Sequence, residues 1–183
     1  YVGGNDGMLH GFSATDGTEK IAYVPNGVLP KLKDLADPNY SHKYYVDGSP
    51  MTGDVELGGV VAPAGGTSYY QTDWRTLLVG ALGAGGKGYF VLDVTNPVAA
   101  SSSIAPAFGD TAALAQKLVR LDRTRGEADA LDCTSVTDTA QNTACLKMAV
   151  EDADIGHITA MPVLNENDPL QTTQITRTNN GRW

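Results

Sequence analysis

The residues of this sequence that come closest to a metal-binding pattern are Asp152 and Asp154, which lie between Glu151 and Gly156. Carboxylate oxygens at alternate positions of a glycine-containing turn are ligands that Ca²⁺ prefers. The positions that follow supply no bidentate glutamate to complete such a loop. The sequence therefore favours a solvated turn, with Asp152 and Asp154 as weak metal candidates and no metal site predicted.

Catalytic side chains show no grouping that could act on a substrate. His10, His42 and His157 are widely separated and form no pair with metal-ligand spacing. The sequence also lacks a nucleophile elbow or a comparable local signature for an activated serine or cysteine. We therefore predict structural roles for the three histidines, no catalytic residue and no cofactor site, and thus a protein that is not an enzyme.

The glycine-rich segment Gly83–Gly88 allows two interpretations. Such a segment can cradle a phosphate, but here no Ser or Thr follows Lys87 and no helix is predicted after it. Close packing of the chain around a turn between two strands also excludes side chains. We favour the second interpretation.

Charge and composition exclude several classes of partner. The formal net charge of -8 repels phosphate backbones and anionic lipid, so neither nucleic acid nor a membrane surface is expected to bind. With 42% hydrophobic and 19% charged residues, the chain has the composition of a folded domain rather than a disordered one. It has no apolar run of the roughly 18 residues that suggests a membrane span.

The elements that would position these residues are mainly short strands. Twenty-one glycines, eight tyrosines and short β-branched runs between turn residues are typical of an all-β domain. Residues 1–17 align with residues 78–97, since both read as strand, glycine-rich turn, strand and polar turn, and residues 48–57 are echoed at 157–164. These repeats predict a four-stranded unit with strands near 52–57, 75–81, 88–94 and 146–150.

A four-stranded antiparallel unit of this kind is one blade of a β-propeller of the quinoprotein type. We predict that residues 1–183 are a fragment of one such domain, which begins inside the domain. The end of one blade occupies 1–25, a full blade 50–150, and the start of the next blade 157–183. An open meander or a sandwich remains the alternative. Because propellers close with about four to eight blades, these residues are not expected to stand alone.

A long loop insertion interrupts the predicted blade at 98–145. It is expected to hold a short helix at Thr111–Asp122, with Asp110 as the N-cap. Long loops on rigid scaffolds often carry function, so we expect the insertion to project from the propeller and to bear what is specific to this protein. Its residues Arg123, Arg125 and Glu127 resemble an Arg-Gly-Asp motif without matching it, and they are our candidates for partner binding. The alternative is a disordered spacer.

Three stretches resemble signatures of the PilC/PilY family of type IV pilus biogenesis factors and adhesins: Tyr1–Phe12, His42–Pro50, and Trp74–Gly80 with Gly83–Phe90. The segment Asp152–Gly156 is similar to the acidic turn that leads into the next blade in that family. The insertion at 98–145 has no family pattern, and Lys147–Val150 lacks the aromatic residues expected there.

The resemblance implies a non-enzymatic fimbrium biogenesis and cell-adhesion protein, exported to the outer membrane, the pilus tip or the cell surface. Its propeller would be a rigid scaffold that supports pilus assembly and counteracts retraction. The implied partners are pilins or minor pilins, a host-surface receptor and the rest of the propeller. The family is known for binding calcium, and its calcium loop would lie beyond Trp183.

Cys133 and Cys145 are the two cysteines, and they lie in a polar stretch with little core to bury a free thiol. An exported protein passes through an oxidising compartment, so we expect these cysteines to form a disulfide.

Two other functions fit parts of the pattern. Quinoprotein (PQQ-type) dehydrogenases repeat similar strands and turns, but they hold the quinone between a tryptophan and a vicinal disulfide. Here eleven residues separate the two cysteines. A generic protein-binding propeller is the second alternative.

Overall fold

The computed structural model describes residues 1–96, 117–126 and 133–162. Short strands dominate them, together with an α-helix at Thr139–Ala153 and 3₁₀ helices at Leu29–Ala36 and Gly83–Gly85. The strands are β1 Val2–Gly3, β2 Leu9–Phe12, β3 Glu19–Tyr23, β4 Met51–Glu56, β5 Gly59–Val61, β6 Tyr69–Gln71, β7 Trp74–Ala81, β8 Tyr89–Asp93 and β9 Val119–Asp122, and the helix is α1 Thr139–Ala153. Among these residues, no helix is long and apolar enough to cross a membrane.

The strands form a three-stranded sheet, β1-β2-β3, a four-stranded sheet, β4-β7-β8-β9, and a two-stranded hairpin, β5-β6. Strands β4 and β7 pair antiparallel from Met51 opposite Val79 to Glu56 opposite Trp74. The all-β prediction is confirmed, and so are the predicted strands at 52–57, 75–81 and 88–94, which correspond to β4, β7 and β8.

The predicted outer strand at 146–150 is wrong, because these residues lie in α1. The Asp138 side chain caps the helix by accepting a hydrogen bond from the Gln141 backbone N–H at 2.8 Å. Most residues that follow are good helix formers such as alanine, glutamine, lysine and methionine. Local helix propensity and the N-cap therefore explain why this segment is a helix and not a strand.

The fourth strand of the blade is β9, so the predicted helix at Thr111–Asp122 is wrong over Val119–Asp122. The main-chain N–H of Arg123 donates to the carbonyl of Tyr89 at 2.9 Å, which extends the pairing past the end of β9. In this segment, hydrogen-bonded pairing with β8 outweighs the local preference for a helix, so the residues form a strand. The insertion at 98–145 thus contains the outer strand; of the predicted helix, Lys117 and Leu118 are helical and residues 111–116 lie outside the described residues.

The chain divides into two compact units. The first contains Tyr1–Pro50, Gly80–Phe90 and Leu121–Met161, and the second contains Met51–Val79 and the described parts of Val91–Arg120. The assignment of 1–25 and 157–183 to neighbouring blades stays a prediction, as does the need for further blades. Most of 157–183 lies outside the described residues.

The core of the first unit contains large side chains from several separate segments. Leu9, Val28, Tyr45, Leu82 and Phe90 are fully buried. The ring of Tyr23 packs against that of Phe90, with centroids 5.3 Å apart. This ring contact joins β3 to β8.

The turn Gly83–Gly88 lies against other main-chain segments, which explains its glycines. A Cβ atom on Gly85 would lie 1.9 Å from the carbonyl oxygen of Tyr45. Gly88 has a φ of +90°, and a Cβ there would lie 2.0 Å from the carbonyl oxygen of Arg123. The segment that follows the turn is strand β8. Close packing, the interpretation favoured by the sequence, therefore accounts for the glycine run.

His10 on β2 lies between two carboxylates of the first unit. Its Nε2 is 2.8 Å from Asp6 Oδ2 and its Nδ1 is 2.5 Å from Glu19 Oε1. The hydrogen bond to Glu19 is the main cause that raises the pKa of His10; burial opposes it, and Asp6 adds to it. Both ring nitrogens donate when the imidazole is protonated. The arrangement therefore stabilises the charged histidine.

Gly85→Ala is expected to lower the free energy of unfolding by about 1–3 kcal/mol, because the added methyl group overlaps the Tyr45 carbonyl. Urea denaturation of the full chain measures this change. Gly156→Ala is the matched control, since its Cβ would meet no atom within 4 Å, and it should change stability by less than about 0.5 kcal/mol. Equal stability of the two variants would contradict the packing explanation.

His10→Gln is expected to destabilise the chain in a pH-dependent way. Because the pKa of His10 is raised in the folded state above its usual 6.5, its contribution is fully present below that value. The contribution is lost as the pH rises through the folded pKa. Unfolding free energies measured between about pH 5.5 and 9 should converge for wild type and variant towards high pH. Parallel curves would show that the carboxylates do not hold the charged imidazole.

Candidate functional site

Several of the candidates singled out in the sequence meet where β9 ends and α1 ends. Arg123 and Arg125 follow β9, and Asp152 lies in the last turn of α1. Arg123 Nη1 is 2.5 Å from Asp152 Oδ1, and Arg125 Nη2 is 2.8 Å from Asp152 Oδ2. Arg123 Nη2 also lies 3.3 Å from Glu151 Oε2. We call these four residues, Arg123, Arg125, Glu151 and Asp152, the Asp152 clamp.

The clamp balances two positive and two negative charges, one of them deeply buried. The Asp152 side chain is 5% exposed, whereas that of Glu151 is 48% exposed. Burial alone would lower the pKa of Arg123, but the hydrogen bonds and charges of Asp152 and Glu151 outweigh it and raise that pKa. Removing a buried partner leaves an uncompensated charge, so the Asp152 pairs are the strong part of the clamp.

The clamp bears on the two metal candidates from the sequence. Both carboxylate oxygens of Asp152 accept hydrogen bonds from guanidinium groups. Asp154 is exposed and caps the C-terminus of α1. In residues 1–96, 117–126 and 133–162, no group of three acidic, histidine or cysteine side chains is arranged to hold a metal. The structure thus gives Asp152 an ion-pairing role.

A second network fixes the end of β9 and so positions the arginines. Asp122 Oδ1 accepts hydrogen bonds from the Thr124 backbone N–H and hydroxyl, at 2.9 and 2.5 Å. Asp122 Oδ2 accepts from the Asn26 N–H at 2.8 Å and from the Tyr23 hydroxyl. The Gly27 N–H donates to Thr124 Oγ1 at 2.9 Å. Burial and the Asp122 charge raise the pKa of Tyr23, so its hydroxyl stays a donor.

The glycine turn holds the chain on both sides of the clamp. Lys87 and Arg125 exchange two main-chain hydrogen bonds of 2.9 Å. The Gly88 N–H donates to the carbonyl of Gly156 at 3.1 Å, and His157 Nδ1 donates to the carbonyl of Gly83 at 2.7 Å. The segment that follows α1 is therefore bound to the same turn as the segment that follows β9.

The first half of α1 is braced by a disulfide. The structure joins Cys133 to Cys145, and Asn142 Nδ2 donates to the carbonyls of Cys133 and Val136 at 2.8 and 3.1 Å. These contacts tie the segment before the helix to its first two turns. The side chains of Leu146 and Val150, one turn apart, remain exposed. The braced helix therefore presents an apolar pair to its surroundings.

The partner-binding candidates from the sequence have different outcomes. The guanidinium groups of Arg123 and Arg125 are engaged inside the chain by the Asp152 clamp. Glu127 lies outside the described residues. A role for any of the three in partner binding stays a prediction.

A groove of about 460 Å³ lies beside β1 in the first unit. It is lined by Tyr1–Gly3, Asn5 and Val46–Pro50. Asp47 is its one carboxylate, and that side chain accepts a hydrogen bond from the Ala84 N–H at 3.3 Å. The groove offers no constellation of side chains for catalysis or for a cofactor.

Sequence reasoning missed the networks around β9, although one signal for them exists. Where the structure describes the aspartate, the pattern Asp-x-Thr occurs at Asp16, Asp93 and Asp122, and each aspartate accepts hydrogen bonds from the backbone N–H and the hydroxyl of the threonine two residues later. At Asp93 and Asp122 this turn ends a strand. The pattern could have placed the end of β9. The pairing of Arg123 with Asp152, 29 residues apart, has no comparable signal.

Comparison with known proteins gives one family. Residues 1–113 match the family described as the PilY1 beta-propeller domain, which is more than half of the chain. A type IV pilus biogenesis factor PilY1 homolog of Xylella fastidiosa is 48% identical over 99 residues, and a second one is 50% identical over 97 residues. The type IV pilus biogenesis factor PilY1 of Pseudomonas aeruginosa is 48% identical over 100 residues. Each alignment covers 53% of this chain.

A crystal structure of the Pseudomonas aeruginosa PilY1 C-terminal domain is 43% identical, with a TM-score of 0.34, and covers 53% of this chain and 15% of that one. The chain spans only 6 to 7% of the length of the curated relatives named above. The family match, together with the antiparallel sheets, confirms the predicted partial β-propeller.

Asp152→Asn is expected to lower the free energy of unfolding by about 3 kcal/mol, because it leaves two guanidinium groups without their buried counter-charge. Glu151→Gln removes the neighbouring, half-exposed carboxylate and should cost less than about 1 kcal/mol. Urea denaturation of both variants measures the difference. Similar losses for the two variants would show that burial of Asp152 does not set the strength of the clamp.

Proposed function

The chain belongs to the PilY1 β-propeller domain family, and we propose that it acts in type IV pilus biogenesis as a non-enzymatic binding scaffold. The relatives are named as pilus biogenesis factors. The observation that carries the scaffold proposal is the rigid mounting of α1. The Asp152 clamp holds its last turn and the Cys133–Cys145 disulfide braces its first half, so Leu146 and Val150 are displayed in a fixed position.

The proposed role has a cellular setting and partners. The protein is exported to the cell surface or pilus tip, where the disulfide would form in an oxidising compartment. It contacts pilins or minor pilins, supports pilus assembly against retraction, and mediates attachment to a host-surface receptor. Calcium binding, if the parent protein has the loop of its family, belongs to chain outside these residues.

The quinoprotein dehydrogenase alternative gains no support from the site. The cysteines form a disulfide between residues twelve positions apart instead of a vicinal one, and Trp74 is exposed at the start of β7. The names of the relatives favour the pilus function over redox catalysis.

Replacing Leu146 and Val150 together by serine tests the scaffold proposal in a piliated host. The change removes two exposed apolar side chains and should leave the fold intact. We expect fewer surface pili, counted by electron microscopy and by sheared pilin, at an unchanged level of the protein. Leu29→Ser, which alters an exposed leucine outside α1, is the control and should leave pilus number unchanged.

Gene deletion separates the possible outcomes. Normal pili after deletion would contradict the pilus function itself. Lost pili after deletion, combined with normal pili in the Leu146/Val150 variant, would contradict only the role of α1. Recovery of pili when the retraction motor is also inactivated would assign the role to retraction control, and no recovery would assign it to assembly.

A further inference from the structure

Three large apolar side chains are exposed together in the second unit. Val60, Tyr70 and Trp74 are 71%, 56% and 60% exposed. Val60 lies on β5, Tyr70 on β6 and Trp74 at the start of β7. We call these three residues the aromatic patch. Tyrosine and tryptophan dominate the energetics of many protein interfaces, so their exposure here calls for a partner.

The register places the three side chains on one face. Val60 is directly opposite Tyr70 in the hairpin, and Glu56 is directly opposite Trp74 in the blade. Directly paired residues of antiparallel strands project to the same side. The Tyr70 hydroxyl donates a hydrogen bond to the Glu56 carboxylate, which brings the two pairs together. The patch is therefore one surface, with Glu56 beside its aromatic rings.

Glu56 also stabilises the β5-β6 hairpin, which carries Val60 and Tyr70. An isolated two-stranded hairpin is marginally stable in water. Here Glu56 Oε1 accepts hydrogen bonds from the N–H groups of Gly58 and Asp73, at 2.7 and 2.8 Å, and the Leu57 N–H donates to the Asp73 carbonyl at 2.9 Å. The Tyr70 hydrogen bond is the leading cause that lowers the pKa of Glu56, so this carboxylate is ionised at neutral pH.

Negative charge lies on the same face as the patch. Asp54, two residues before Glu56 on β4, is exposed, and its Oδ1 accepts a hydrogen bond from the Thr76 hydroxyl at 2.7 Å. The cation of β7, Arg75, alternates to the other face, where its guanidinium group lies 3.7 Å from the buried Asp93 carboxylate. The patch thus combines aromatic rings with two carboxylates in a chain of net charge -8.

We propose that the aromatic patch binds a basic segment of a protein partner, with lysine or arginine side chains stacked on Tyr70 and Trp74 and their charges near Asp54 and Glu56. Cations attract the faces of aromatic rings, and tryptophan is the strongest such partner. The carboxylates supply the complementary charge that steers and orients the segment. The inference rests on the proposed scaffold function for the existence of a partner, and it adds the chemistry of that partner.

Binding of an acetylated hexa-arginine peptide to the full chain, measured by calorimetry at low and physiological salt, tests the proposal. Trp74→Ser keeps the net charge and should weaken binding about three- to fivefold. Asp54→Asn should weaken it mainly at low salt. Tyr69→Ser is the matched aromatic control, because Tyr69 pairs with Val61 on the other face of the hairpin. Asp154→Asn is the matched charge control. Circular dichroism and thermal melting confirm that each variant folds.

Weaker binding by Trp74→Ser and Asp54→Asn, but not by the two controls, supports the patch as the site. Equal affinity of Trp74→Ser and Tyr69→Ser overturns the proposal, since binding would then follow net charge alone. Absence of peptide binding also overturns the proposal. So does binding of a neutral hexasaccharide, if Trp74→Ser removes that binding and Asp54→Asn does not, because the carboxylates would then play no part. Normal pilus number in Trp74→Ser cells that lose peptide binding leaves the patch as a binding site and shows only that pilus biogenesis does not depend on it, whereas normal pilus number after gene deletion counts against the pilus function. Lost pili with unchanged peptide binding counts against the patch alone.

Discussion

The first unit depends on how closely main-chain segments approach the turn Gly83–Gly88. Three segments lie against this turn: the chain around Tyr45, the residues after β9, and the residues after α1. The chain around Tyr45 and the residues after β9 occupy space that a side chain on the turn would fill, and the residues after α1 are held by hydrogen bonds. One glycine-rich turn therefore helps to position the arginines, Asp152 and α1, because its backbone contacts all three segments.

The sequence predicts elements well where the pattern is local. Strands β4, β7 and β8 are bounded by glycine, proline and aspartate turns, and their apolar runs identify them. Strand β9 is different, because Val119-Arg120-Leu121-Asp122 has little character of its own and becomes a strand by pairing beside β8. The Asp152 clamp joins residues with no periodic relation, so no reading of the sequence alone could have assembled it.

The family signal and the distinctive parts of the chain are separated along the sequence. The match ends at residue 113, whereas β9, the clamp arginines, the disulfide and α1 all come after it. The glycine turn lies within the matched part and holds the unmatched parts by main-chain hydrogen bonds, which do not depend on side-chain identity. A shared scaffold can therefore carry a segment whose sequence is free to differ between relatives.

The way in which α1 is attached determines whether another helix can replace it. Within the described residues, the clamp holds the helix through an aspartate in its last turn. The glycine turn holds the chain beyond the helix through the Gly156 carbonyl and His157. Most of the helical surface takes no part in this attachment, since Asp152 is its one buried residue. A foreign helix that keeps Cys145 and ends in the same carboxylate and glycine could therefore be grafted in place of α1, so helices of different sequence can be attached at this point of the blade.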